Sequence, residues 1–290
     1  MKSGTPMDLE ITNRLIASSE PPRRLFRGTT VALVGLSMMM GALWANPELL
    51  GSAHTLGWLL PHVILLLIVG LVVGDVMRQR RVDHLLRETQ EAILLEDWTR
   101  AWTVLNELLR SPIRRLTTRT QALLALAAVA EARHAFEAVQ RVCEYLLERG
   151  LGHPVQQHVT RVTLGATMLR TGQTSDAVAL IDRLSAQNLP GPMRAQVELL
   201  ALFREVVLGH AHETLGQAAE RRELFRAYLG TRAGYGYGLL AAAYDRANRS
   251  EEARQYWHDA TLLVRPQDLT DRFAELASIA KRYPAVENPF

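Results

Sequence analysis

Hydrophobic residues are distributed unevenly along this chain, with two long apolar runs near its N-terminus. The runs cover residues 28–45 and 55–74, contain no charged residue, and are separated by the link 46–54. A helix needs about 20 apolar residues to cross a hydrocarbon core, and a backbone in lipid must satisfy its hydrogen bonds internally. The pattern therefore predicts a transmembrane helical hairpin over residues 28–76, preceded by a cytoplasmic segment 1–27.

Arginines flank both apolar runs. Three precede the first run and three follow the second, whereas the link contains neither Lys nor Arg. The six are Arg23, Arg24, Arg27, Arg78, Arg80 and Arg81. Lys and Arg close to membrane helices remain on the cytoplasmic side. We therefore expect both termini, and everything after the hairpin, on the cytoplasmic side of a bacterial inner membrane.

Two other interpretations of the runs are weaker. A cleaved signal peptide is disfavoured because the first run begins late, after acidic residues such as Asp8 and Glu20, and because a second run follows at once. A buried helical pair in a soluble protein is disfavoured by the uncharged length. His62, inside the second run, is either an interfacial histidine or a functional group at membrane depth. Gly35, Ser37 and Gly41 form a small-residue set that predicts packing on other membrane helices.

From residue 77 onward the apolar positions follow helical periodicity, and a repeat is visible. Five segments align on one small residue that starts a helix after a tight turn. These anchors are Ala101, Ala138, Ala177, Thr214 and Ala253, at spacings of 37, 39, 37 and 39 residues. A small side chain allows two antiparallel helices to approach closely, and a single helix pair cannot bury its apolar face alone. Stacked helical hairpins are therefore expected.

Two of the segments show the repeat most clearly. The third has Leu164, Gly165, Met168, Gly172, Ala177 and Ile181, and the fifth has Leu240, Ala241, Tyr244, Asn248, Ala253 and Trp257. In these residues the chain resembles the tetratricopeptide repeat family, although its spacing exceeds that family's roughly 34 residues. The resemblance implies an all-α solenoid of about five helical hairpins over residues 77–266. One further amphipathic helix at 267–283, within the segment 267–290, would cap it.

The overall layout is similar to that of the HemY-type inner-membrane tetratricopeptide proteins. A membrane hairpin, an arginine-rich exit and the turn Glu96-Asp97-Trp98 carry this likeness. It implies a regulatory or assembly protein of a membrane-associated biosynthetic pathway, as an alternative to a general adaptor.

Composition narrows the possible functions. The net charge is +3, and no long basic run occurs away from the membrane flanks, so nucleic-acid binding is not indicated. Cys143 is the single cysteine, which excludes an internal disulfide framework and a CxxC zinc module. Its apolar-periodic surroundings predict a core position.

The sequence contains no recognisable catalytic motif. The glycine-rich stretch 232–239 follows no predicted strand, so it is interpreted not as a phosphate cradle but as a loosened start of a helix. His210, His212 and Glu213 could hold a metal, but a solvated turn is the favoured interpretation. We therefore predict no enzyme activity, no cofactor and no metal site; an enzyme or metal carrier using these histidines is the remaining alternative.

The resemblance to tetratricopeptide proteins implies a concave groove that binds protein partners. By position it assigns Leu123, Val162, Ala166, Leu169, Arg170, Leu199, Phe203, Tyr235 and Arg246 to this groove. The set is mainly apolar with two arginines, which suits a peptide or helix with an apolar face and a carboxylate. Any one of these residues could instead face a neighbouring helix. The prediction is a non-enzymatic membrane-anchored adaptor whose partner binding is lost in Phe203→Asp.

Overall fold

The computed structural model describes residues 7–21, 35 and 54–284, and within them every regular element is helical. The α-helices are α1 (Leu9–Ser18), α2 (His54–Leu94), α3 (Trp98–Leu109), α4 (Leu116–Ala132), α5 (Phe136–Glu148), α6 (Pro154–Arg170), α7 (Thr174–Ser185), α8 (Gly191–Leu208), α9 (Ala211–Gly216), α10 (Ala218–Tyr228), α11 (Ala233–Arg246), α12 (Ser250–Leu263), α13 (Pro266–Arg272) and α14 (Ala277–Arg282). Short 3₁₀ helices cover Gly230–Arg232 and Ala274–Leu276. The predicted all-α class is confirmed, and the repeated hairpins are consistent with an α-solenoid.

The five predicted anchors occupy equivalent places in the fold. Each lies at or near the start of the second helix of a hairpin, in α3, α5, α7, α9 and α12 respectively. All five are buried: Ala101, Ala138, Ala177, Thr214 and Ala253. The repeat predicted from spacing therefore corresponds to a structural repeat.

The turns inside the hairpins are also equivalent. Each has one residue in the left-handed conformation, four or five positions before the anchor. These residues are Glu96, His134, Gly172, Gly209 and Asn248, with φ between 56° and 81°. The left-handed region is easiest for glycine, so the same turn is built here from glycine twice and from less suitable residues three times.

Helix α2 is one uninterrupted helix of 41 residues. It passes from the second apolar run into the first hairpin without a break near Arg78, as the absence of Gly and Pro between 75 and 111 had indicated. Among the residues that the structure describes, no helix combines the length and the apolar character that crossing a membrane requires. Apart from Gly35, the first run lies outside the described residues, and so do Ser37 and Gly41. Gly35 alone is described, as a helical residue at which an added Cβ would meet no atom within 4 Å.

By its contacts the chain divides into two compact units, Met1–Val142 and Cys143–Phe290. In the first unit, α1 is an element that the sequence pattern did not reveal. Its Leu15 and Ile16 are buried. Ser18 Oγ donates a hydrogen bond to the carbonyl of Leu109, 2.7 Å away, and the amide of Ile113 donates to the carbonyl of Ser19 at 3.1 Å. The segment before the first apolar run is therefore held against the loop after α3.

The second unit has a core built from α6 to α14, with Trp257 and Phe225 among its largest buried side chains. The predicted single helix at 267–283 is wrong in detail, because the chain is extended at Phe273 (φ −132°, ψ 100°) and forms α13, a 3₁₀ turn and α14 instead. Leu269, Phe273 and Leu276 are all buried on the two sides of this break.

The glycines of α11 do not loosen that helix. Gly234, Gly236 and Gly238 are buried inside it, and a Cβ at Gly236 would lie 2.3 Å from the ring of Phe225. Because glycine has no side chain, neighbouring groups can approach α11 closely at these positions.

Candidate partner-binding surface

Helix α6 begins with clear local signals. Pro154 stands in its first turn, where a missing N–H costs nothing, and the Gln156 side-chain oxygen accepts a hydrogen bond from the amide of His153 at 3.1 Å. The chain leaves the helix through the left-handed Gly172. Both ends of α6 are therefore determined by local structure.

One face of α6 carries a line of apolar residues at spacings of four, three, four and four. Val155 and Val159 are exposed, at 48% and 40%, whereas Val162 and Ala166 are half-buried against the core of the second unit, and Arg170 ends the line. We call these five residues the α6 stripe. Residues at such spacings share one helix face, so the stripe is a continuous apolar strip that ends in a cation.

Beyond Arg170 the face continues into a cluster of aromatic rings. The Arg170 guanidinium lies 5.8 Å from the ring centres of both Phe203 and Phe273. These two rings are 4.8 Å apart, and Tyr235 contacts Phe273 edge to face at 6.0 Å. Arg272 lies over the Tyr235 ring at 4.9 Å. Cations over aromatic faces are attracted by the ring quadrupole, so this aromatic cluster and its arginines are mutually stabilising.

The structure thus brings together Val162, Ala166, Arg170, Phe203 and Tyr235 of the predicted groove. Others of the predicted set lie elsewhere. Leu123 is fully buried in the first unit, and Leu169 is buried in the core of the second. Leu199 is half-buried against that same core. These positions contribute to the packing of helices because a helix in a stack has neighbours on more than one side.

Phe203 is only 2% exposed, and the ring of Phe273 from the C-terminal segment lies 4.8 Å from its ring. Phe203→Asp would therefore place a charge in the core and unfold the second unit, so it is not a usable test of partner binding. Arg246 is exposed and its guanidinium donates to the carbonyl of Val206. That arginine caps the end of α8 and is not free to select a ligand by itself.

Val155, Val159 and Phe273 are the members of this face that the sequence prediction missed. The two valines continue the spacing of Val162 and Ala166 by one and two turns, so the helical periodicity could have found them. Phe273 could not have been found in this way, because it belongs to the C-terminal segment and contacts the cluster through tertiary packing.

No protein-family model, curated protein or solved structure matches this chain. The functional argument therefore depends on the geometry of its own residues.

A buried polar cluster lies in the second unit but offers no open site. Arg221 contacts Glu205 at 2.6 and 2.7 Å and Glu198 at 3.2 Å. Burial by itself raises the pKa of Glu205, but the hydrogen bonds and charge of Arg221, with the Thr214 hydroxyl, outweigh burial and lower that pKa below 4.5. The charged groups of this cluster are paired with one another, so they stabilise the packing of α8 against α10.

A cavity of about 630 Å³ lies between α12 and the residues that follow α14. Its walls include Trp257, Arg254 and Arg282. Arg282 is paired with Asp245 at 2.5 Å, and Tyr283 donates to the same carboxylate at 3.0 Å. Arg254 lies 3.6 Å from Glu251, so both arginines of the wall have carboxylate partners within the protein.

Within residues 7–21, 35 and 54–284, no group of three or more His, Cys, Asp or Glu side chains is placed to hold a metal ion. His210 lies 3.7 Å from Glu213, and both are exposed. The predicted turn is wrong in detail, because His212 and Glu213 lie in α9 and His210 immediately precedes it. The prediction that these polar side chains are solvated is confirmed, since all three are exposed. Cys143 is buried, as predicted.

Proposed function

We propose that this protein is a non-enzymatic adaptor, anchored in a bacterial inner membrane, that recruits or organises protein partners at the cytoplasmic face as an accessory part of a larger complex. The observation that supports it best is the α6 stripe. Exposed Val155 and Val159 continue onto half-buried apolar residues and end at Arg170. An amphipathic helix or extended peptide could place an apolar face on this strip and a carboxylate near the arginine.

The repeat supports the same proposal. Five hairpins have equivalent buried anchors and equivalent left-handed turns, and stacked hairpins of this type present extended binding surfaces. We assign the hairpins to the tetratricopeptide type on the residues named above. The alternative of a regulatory or assembly role in a biosynthetic pathway stays a prediction from the layout.

Membrane attachment is supported by three observations. The runs 28–45 and 55–74 carry no charge, and in the described part of α2 large apolar side chains are exposed at consecutive positions, such as Leu71, Val72 and Val73. Large exposed apolar patches are uncommon on soluble monomers. In addition, α1 before the first run and α3 after the second contact each other, as expected if both ends of a hairpin return to one side.

The test of the adaptor role is affinity purification of the full chain in mild detergent, followed by mass spectrometry. Val159→Asp changes the stripe at an exposed position, so the fold should persist. Leu262→Asp, at another exposed apolar residue of the second unit, is the matched control. We expect a stoichiometric companion that is retained by Leu262→Asp and lost from Val159→Asp. Recovery of the chain alone, or a companion that is still retained by the Val159→Asp variant, would contradict the proposal.

A further inference from the structure

Exposed apolar residues surround α2 up to its residue 77. Leu65, Leu66, Val69, Val76 and Met77 are between 45% and 71% exposed. Successive residues of a helix point about 100° apart, and the exposed set includes adjacent positions, so it covers more than one side of the helix. The apolar band stops where Arg78 begins a charged sequence.

The fold brings a second arginine group to the same level of α2. Helix α3 runs antiparallel to α2, because Arg100 near its start pairs with Glu88 at 2.8 Å and Glu107 near its end pairs with Arg81 at 2.6 Å. Arg110, one turn beyond Glu107, therefore lies beside the segment 78–81. The loop that follows continues in this direction.

That loop carries two more arginines. Arg114 pairs with Asp75, and Arg115 lies 3.8 Å from Asp83. Asp75 is in the last turn of the apolar band. Residues that are about 35 positions apart in sequence thus meet at the end of this band. We call the set the arginine belt: it consists of Arg78, Arg80, Arg81, Arg110, Arg114 and Arg115, all of them exposed.

Only half of the belt is neutralised by the protein. Arg81, Arg114 and Arg115 have carboxylate partners. Arg78, Arg80 and Arg110 lie within ion-pair distance of no carboxylate in the part of the chain that the structure describes. Exposed guanidiniums that have no carboxylate partner among the described residues, at the edge of an apolar band, are available to an anion that lies at the same level.

From this arrangement we infer that the arginine belt binds the phosphate headgroups of anionic lipids. The inference rests on the proposed membrane attachment, since the apolar band puts the belt at headgroup depth. Guanidinium binds phosphate through two parallel hydrogen bonds. Basic residues next to a membrane segment attract anionic lipid. The protein would thus select its lipid environment as well as its protein partner.

The test compares full-length protein reconstituted in vesicles of phosphatidylcholine alone and of phosphatidylcholine mixed with phosphatidylglycerol. Flotation reports attachment to each vesicle. The lipids retained after gentle detergent extraction from the mixed vesicles report headgroup preference. We expect attachment to both vesicles, and retained lipid enriched in phosphatidylglycerol. In the variant Arg78→Gln, Arg80→Gln, Arg110→Gln the enrichment should fall by at least roughly fivefold, the effect of about one basic residue at a charged surface.

The matched control removes the same charge elsewhere in the first unit. This control variant is Arg87→Gln, Arg100→Gln, Arg133→Gln. Two of its residues lie far from the belt. Arg100 is ten residues, or about 15 Å of helix, from Arg110, and Arg133 lies over Trp102 near the same end of α3 as Arg100. This variant should keep the enrichment. Circular dichroism checks that both variants are folded.

The outcomes separate the two proposals. Attachment to both vesicles without any lipid preference, or a preference that survives in the belt variant, would overturn the belt but leave the anchor. A chain that floats with neither vesicle would overturn the anchor and the belt together. Loss of the enrichment on adding inorganic phosphate at millimolar concentration would show a site for free anions, and would also overturn the lipid assignment.

Discussion

Arg221 of α10 donates two hydrogen bonds to the carboxylate of Glu205 in α8, at 2.6 and 2.7 Å, and both side chains are buried. The hydroxyl of Thr214 donates a third to the same carboxylate, at 2.8 Å. Thr214 is the anchor at which the repeat departs from alanine. The departure has a physical reason, because an alanine there would leave one lone pair of a buried carboxylate without a donor.

Replacing Arg221 by Met should destabilise the protein strongly. It leaves the Glu205 charge buried without its partner, which costs about 3–5 kcal/mol. The comparison is Arg226→Met, which breaks the exposed pair with Glu223 and should change stability by less than about 1 kcal/mol. Urea unfolding followed by circular dichroism measures both. Similar midpoints for the two variants would contradict the structural role of the buried pair.

His158 should make stability fall on mild acidification. The side chain is buried, and its Nε2 has no hydrogen-bond partner among the residues that the structure describes. Burial lowers the pKa of His158 below 6.5, more than its hydrogen bond with the backbone of Met193 raises that pKa. Between the lower folded pKa and 6.5, His158 is therefore protonated to a greater extent in the unfolded chain than in the folded chain. The His158 contribution is complete above pH 6.5 and decreases as the pH falls from 6.5 toward the lower folded value.

The measurement is the urea midpoint of the wild type and of His158→Gln, about one pH unit on either side of 6.5. The wild type should lose stability relative to the variant at the lower pH. His258→Gln, at an exposed position in α12, serves as the control. If the difference in urea midpoint between the wild type and His158→Gln is the same at both pH values, the proposed role of His158 is refuted.

Two glycines that both contact an aromatic ring should respond differently to alanine. A Cβ at Gly236 would lie 2.3 Å from Phe225, which is fully buried, whereas a Cβ at Gly191 would lie 2.4 Å from Tyr228, which is 50% exposed. Phe225 has no space into which to move, so Gly236→Ala should cost about 1–3 kcal/mol. Tyr228 can turn into solvent, so Gly191→Ala should change stability by less than about 0.5 kcal/mol. Thermal unfolding of the two variants, compared side by side, distinguishes them.

The equivalent turns of the repeat predict substitutions of opposite sign. Gly172 and Glu96 adopt the same left-handed conformation, with φ of 77° and 56°. A Cβ in that region costs about 1–2 kcal/mol. Gly172→Ala should therefore destabilise the protein, and Glu96→Gly should stabilise it by up to about 1 kcal/mol. Denaturant midpoints of the two variants test this, and a shift in the same direction for both would show that the turns are not equivalent.

The sequence was sufficient for features that depend on local pattern. The anchors from Ala101 to Ala253 followed from spacing and side-chain size, and the continuous α2 followed from the absence of Gly and Pro. It was not sufficient for the candidate groove. Phe203 and Leu123 have the residue type and register of groove residues, but both are buried, and burial depends on packing that register does not identify.

The sequence alone determined the helical class, the number of hairpins and the positions of their turns, since these depend on periodicity and on small residues at fixed spacing. Only the tertiary structure decided which side chains remain exposed and which distant segments meet. It placed Phe273 over Phe203, Ser18 against Leu109, and Arg110 at the end of the apolar band of α2. These contacts depend on long-range packing between segments that are distant in sequence. The local sequence of each segment does not specify which other segment it will contact.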